Sequence, residues 1–173
     1  MRECSVSEAW KKKYPERVVV AVTRDEEKEK VNFIPLGWFM PTSFQPPLVA
    51  ISVGVTRYSH RLLQKTGEFV LFFPSPEMGD RIYYWGTHSG SKVDKLKEAP
   101  VKIQEAKFVR PPLVPEAVIN LECKVVDSLR TGDHTIFVGR ILAAYINEEK
   151  ELLFNLGEYK FGEIKETQTL FKP

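Results

Sequence analysis

Ala117-Val-Ile-Asn-Leu-Glu-Cys-Lys-Val-Val-Asp-Ser-Leu129, then Arg130-Thr-Gly-Asp133, then His134-Thr-Ile-Phe-Val-Gly-Arg-Ile-Leu-Ala-Ala-Tyr-Ile-Asn147, is the stretch that decides the fold. Two long runs rich in β-branched residues flank a short turn in which Gly132 can take a positive φ, which reads as a hairpin. Working outward, Arg17–Thr23, Val31–Met40, Leu48–Val53 and Glu68–Phe73 read as further strands, and Leu152–Gly162 as a last hairpin-like piece. The charged run Asp25–Lys30 is a turn, and Pro35, which has no N–H for a sheet ladder, marks an edge or bulge. Helical signal is confined to the middle: Ser59–Lys65, ended by Gly67, and Glu77–Ala99, broken around Gly86–Ser91. Strands on both flanks of a helical insert predict one mainly β domain over residues 1–173, an antiparallel barrel with helices attached.

Composition narrows what such a barrel can do. Of 173 residues 43% are hydrophobic and 28% charged, enough apolar material for a core and far from a disordered composition. Lys and Arg exceed Asp and Glu by 25 to 23, a net +2 spread along the chain, so no nucleic-acid partner is expected. The longest wholly apolar runs, Val18–Val22 and Phe69–Phe73, are five residues, against the ~20 a bilayer demands, so no membrane partner is expected either. Met1-Arg2-Glu3-Cys4 leads into polar sequence and not an export signal, which makes the cytoplasm the expected location. Cys4 and Cys123, and His60, His88 and His134, are too dispersed for a disulfide framework or a metal site.

Four segments carry possible chemistry. Asn32-Phe-Ile-Pro-Leu-Gly-Trp-Phe-Met-Pro-Thr-Ser-Phe-Gln-Pro-Pro47 reads as a loop too apolar for an ordinary surface connection. Its Trp38, Phe39, Met40 and Phe44 would either close the barrel end or an oligomer interface, or wall a flat aromatic ligand whose polar edge meets Thr42, Ser43 and loop amides. Val55-Thr56-Arg57-Tyr58-Ser59-His60-Arg61 lies where a strand gives way to a helix, with Ser59 at the expected N-cap. Free N–H groups there, with hydroxyls and arginines, make a seat for a phosphate. Ser89, Gly90 and Lys92, followed by Lys95, are placed to close that seat, or else simply face water. Gly132-Asp133-His134 puts an imidazole on a turn, either exposed without function or beside a redox ring. Walker, Rossmann, serine-hydrolase and zinc-protease patterns do not occur.

In their order and spacing these segments resemble the flavin reductase-like family, most closely its flavoredoxin and ferric-reductase branch, over Arg17–Gly162. The matched pieces are Asn32…Trp38…Thr42-Ser43-x-x-Pro46-Pro47, Arg57-Tyr58-Ser59, Gly67-Glu68-Phe69-Val70, Ser89-Gly90…Asp94-Lys95 and Gly132-Asp133-His134. The resemblance implies an FMN-binding split barrel, antiparallel and Greek-key-like with inserted helices, assembled as a homodimer with one FMN per subunit. FMN, less so FAD, would lie along Asn32 and Trp38, Phe39, Met40, Pro41, Thr42 and Ser43, with its phosphate near Val55, Thr56, Arg57, Ser59, His60 and Arg61. Ser89, Lys92 and Lys95 would add contacts, Tyr159 would cover the site, and His134 would face the nicotinamide of a transient NAD(P)H donor. Departures include Glu26–Lys30 where a glycine is usual, Ser91-Lys92 where an arginine commonly follows Ser-Gly, and Ser59 in place of threonine. The implied activity is an NAD(P)H-dependent flavin or ferric reductase passing electrons through FMN to free flavin, ferric iron or a redox protein. The alternative is a barrel that binds FMN, another ligand or a partner without catalysis.

Overall fold

The computed structural model describes residues 1–158 and 160–164. Among the described residues four α-helices and ten strands follow one another, with a single 3-10 turn at Pro76–Met78 before the third helix. The first helix, α1 (Val6–Trp10), is capped by Ser5, whose Oγ accepts from Glu8 N–H at 3.2 Å. Strands β2 (Val19–Asp25), β3 (Lys30–Leu36), β4 (Phe39–Ser43), β5 (Leu48–Gly54), β6 (Glu68–Phe73), β7 (Ile119–Thr131) and β8 (His134–Ile146) form one antiparallel sheet in the order β3-β2-β6-β7-β8-β5-β4. The β7–β8 hairpin anticipated from the sequence is its spine, 13 residues to each strand, and Gly132 turns at φ 61°. A small second sheet joins β1 (Glu16–Arg17), β9 (Phe154–Gly157) and β10 (Lys160–Gly162).

Period-two alternation accounts for the core. In Val18–Val22 every residue is buried because Val18, Val20 and Val22 point to one face of β2 while Val19 and Ala21 point to the other. The second set meets Ile51, Val53, Phe69, Leu71 and Phe137 inside the curled sheet, where α2 (Tyr58–Thr66) adds Leu63. The first set meets Phe33, Phe72, Ile82 and Trp85, the last two from α3 (Gly79–Thr87). Burying each such aliphatic or aromatic side chain contributes roughly 1.5–3 kcal/mol. Gly139 belongs to this core: a Cβ there would come within 2.6 Å of Phe69 Cζ.

Two expectations change. The Val31–Met40 strand is broken, since β3 stops at Leu36 and β4 begins at Phe39 on the opposite edge of the sheet. Asn32–Pro47 is therefore not a loop but two strands joined through Gly37-Trp38, where a Cβ on Gly37 would overlap the Glu16 carboxylate. Pro35 does lie on an edge strand, opposite Val20. In the Asp25–Lys30 turn, Glu29 adopts φ 52°, a left-handed conformation that glycine takes without strain.

Candidate functional site

A cleft of about 440 Å³ opens where the ends of β3 and β5 face the N-terminus of α2 and the C-terminus of α3. Of the residues singled out in the sequence it gathers Asn32, Trp38, Thr56, Arg57, Ser59, Ser89, Lys95 and His134. These come from five separate segments, brought together because β2, β6 and β7 separate β3 from the β8–β5 pair and the sheet curls to bring them back.

The phosphate-like end is built on α2. Ser59 is not its N-cap; Arg57 is, extended at φ −76° and ψ 140°, and no side chain caps the helix. This N-terminus, with no side-chain cap among the described residues, lines the cleft through Arg57, Tyr58 and Ser59. Ser59, one turn inward, is buried and accepts from Asn32 Nδ2 at 2.8 Å, while the same amide donates to Thr23 Oγ1 at 3.1 Å. Asn32, 2% exposed, has no hydrogen-bond partner for its Oδ1 among the described residues, and this atom lies against Gly90, where a Cβ would overlap it. Opposite, Asp94 caps α4 (Lys95–Glu98) by accepting from Leu96 and Lys97 N–H, which turns Lys95 inward. Lys95 is 4% exposed, and its Nζ donates to the carbonyls of Phe33 (2.7 Å) and Trp85. Burial, with the nearby Arg57 charge, pushes its ammonium down to about 8. Two cations without a carboxylate partner among the described residues face one cavity, an arrangement that attracts an anion.

The other end is flatter and less polar. Trp38 lies 4.8 Å from the His134 ring, with the planes tilted by 40°. His134 enters the cleft because it pairs with Gly54 across β5–β8, and a Cβ on Gly54 would come within 3.5 Å of its Nε2. Its Nδ1 bonds Asp133 Oδ1 at 2.7 Å, and that bond holds the Asp133 carboxyl below the usual carboxylate range.

Several expected residues lie elsewhere. His60 is buried, bonded through Nε2 to Thr135 Oγ1 at 2.8 Å and edge-on to Phe137; burial holds it below its ordinary value, so it is a core residue and not an anion contact. Arg61 lies over the Tyr58 ring at 5.0 Å, Lys92 is exposed outside the cleft, and Val55 donates its N–H to Asp133 O. Phe39 packs edge-on against Phe73 in the barrel, and Pro41, Thr42 and Ser43 run along edge strand β4 away from the cleft. Phe39 and Met40, together with Trp38, which lines both spaces, border a separate apolar groove of about 210 Å³ with Ile136. Tyr159 lies outside the described residues. The sequence assigned no role of their own to Ile34–Gly37, to the Trp85–Thr87 end of α3 or to Tyr58, all of which line the cleft. Burial, reinforced by its bond to Asp25 Oδ2, pushes the Tyr58 phenol up to about 12. That partnership spans 33 positions and leaves no local signal.

The model of the flavin reductase like domain matches residues 11–163, and the chain belongs to that family. An uncharacterized protein of Archaeoglobus fulgidus is 40% identical over 129 residues, covering 75% of this chain and 71% of its own. The NADH-dependent FAD reductase of Streptomyces globisporus is 29% identical over 124 residues, covering 70% of this chain and 67% of its own. Among solved structures, the FMN-binding protein of Thermus thermophilus superposes with a TM-score of 0.85 at 27% identity, over 100% of this chain and 98% of that one. The fold is thus the FMN-binding split barrel that the resemblance implied.

Proposed function

We propose that the chain is an NAD(P)H-dependent flavin reductase that holds FMN in the 440 Å³ cleft and hands electrons to a small-molecule acceptor. The observation that carries this reading is the pairing, in one cavity, of an uncapped helix N-terminus flanked by Arg57 and buried Lys95 with an apolar wall at Trp38. The first fits a phosphate ester of roughly −1.5 to −2 charge; the second fits a flat ring. The family's NADH-dependent FAD reductase supports the donor. FMN, when bound, supplies acceptance of hydride and its release as electrons.

The chain's own residues do the rest. Arg57, Lys95 and the α2 N–H groups neutralise the phosphate, and Ser89 adds a hydroxyl. Lys95 also brings fixed positive charge to a site where reduction adds negative charge. His134, opposite Gly54, positions the donor with its ring oriented by Asp133. Met40, 54% exposed, lines the apolar groove on β4, Phe44, 97% exposed, follows in the turn just after the strand, and we assign this edge to a homodimer contact.

The test is direct. Purified protein titrated with FMN should quench flavin fluorescence at one site per chain, and anaerobic mixing with NADH or NADPH should bleach the flavin absorption. His134→Ala should keep FMN affinity and raise KM for the donor about tenfold, about 1.4 kcal/mol. Absence of flavin binding overturns the reading, and unchanged donor kinetics in His134→Ala overturns its role.

A further inference from the structure

A second cavity, of about 430 Å³, lies behind the wall formed by Pro35-Leu36-Gly37 and Gly86-Thr87, which line both spaces. The two differ in chemistry. Where the cleft faces Arg57 and Lys95, no acidic or basic side chain among the described residues lines the second cavity. Its own walls are the aliphatic Val18 and Ile82, the rings of Tyr83 and Phe161, and the amide of Asn155. Among the described residues Asn155 accepts from Gly157 N–H and donates to Glu16, and its second amide proton is not used by either bond.

Resting on the flavin reading above, we propose that this second cavity seats the adenosine end of a dinucleotide whose phosphates reach across the shared wall into the cleft. A purine nucleoside is uncharged, flat and rich in ring-nitrogen acceptors, which suits apolar and aromatic walls with one amide donor. The phosphates joined to it need the opposite surroundings, and those lie on the cleft side of the same wall. The crossing is made at the C-terminus of α3, where unpaired carbonyls would repel an anion. They are not unpaired: Tyr83 O accepts from Thr87 Oγ1 at 2.8 Å, Tyr84 O from His88 N–H at 3.1 Å, and Trp85 O from the Lys95 ammonium. The chain has no Rossmann fingerprint, so an adenosine has no seat of that kind.

The same adenosine chemistry belongs to FAD and to NAD(P)H, and the experiment separates them. Calorimetry on the full chain with AMP, FMN and FAD, together with steady-state kinetics in NADH, is run on the wild type, Tyr83→Ala and Phe161→Ala. AMP should bind the wild type, and its affinity should fall about tenfold in Tyr83→Ala through lost stacking. If FAD supplies the adenosine, FAD affinity falls by the same factor while FMN affinity holds. If the donor supplies it, both flavin affinities hold and KM for NADH rises about tenfold at unchanged kcat. Either result supports the seat. Failure of AMP to bind, or both variants leaving AMP, FAD and NADH unchanged, overturns it. Failure of the wild type to bind either flavin overturns the flavin reading alone, because the AMP titration is read independently.

Discussion

Lys95 joins structure and function most tightly at the scale of single residues. Its ammonium holds two main-chain carbonyls of different elements, at Phe33 and Trp85, and presents charge to the cleft. Because burial lowers its proton affinity to about 8 from the ordinary 10.5, the unfolded chain holds that proton more tightly across this window. The buried charge therefore opposes folding below about pH 8, and its penalty is relieved between about 8 and 10.5 as the folded state releases the proton. An anionic ligand reverses the preference, since it favours the charged amine. We expect FMN affinity to fall as pH rises through about 8, and a fluorescence titration from pH 7 to 9.5 measures it. Gly90 is the second sensitive point: Gly90→Ala must displace the Asn32 amide from Thr23 and Ser59. We expect a loss of about 1–3 kcal/mol in urea unfolding, with weaker FMN binding, as buried polar groups lose partners.

Between elements, the connection from α4 to β7 is held by one buried carboxylate. Glu122, on β7 and fully buried, accepts from Lys107 N–H at 3.0 Å, from Phe108 N–H, and from the Tyr145 hydroxyl of β8 at 2.7 Å. Burial pushes its carboxyl up, but the Lys107 amide, the Tyr145 hydroxyl and the Phe108 amide together hold it below the ordinary range. Its contribution is thus present above the unfolded value and lost as pH falls below it. Glu122→Gln keeps one acceptor oxygen and gains donors that meet other donors. We expect about 1–3 kcal/mol of destabilisation at pH 7, shrinking toward pH 3, seen by denaturant unfolding at both values. Asn120 fastens the same connection from the next position inward, exchanging two hydrogen bonds with the Val114 main chain at 2.8 and 2.9 Å.

For the whole molecule, the open question is what covers β4. This edge strand carries Met40 outward, leads into the exposed Phe44 and borders an apolar groove, a surface that invites a second chain. We expect Met40→Glu to leave the barrel folded and shift the protein from dimer to monomer in sedimentation, since β4 contributes little to either buried cluster. A wild type that sediments as a monomer refutes the assigned contact.

The amino-acid sequence by itself determined the strands, the Gly132 hairpin, the helical insert and the sheet's inward faces, because alternation and turn chemistry act over a few residues. It also marked Asn32, Arg57, Ser59, Ser89, Lys95 and His134, which the fold brings to one cleft. Only the tertiary structure decided that His60 turns into the core, that Arg57 and not Ser59 begins α2, and that Phe39–Ser43 form an edge strand away from that cleft. Side-chain direction there depends on which strand lies alongside, and pairing between segments dozens of residues apart leaves no trace in local composition. For the same reason the second cavity, walled by Val18, Ile82 and Phe161 from three distant elements, exists only once the chain has folded.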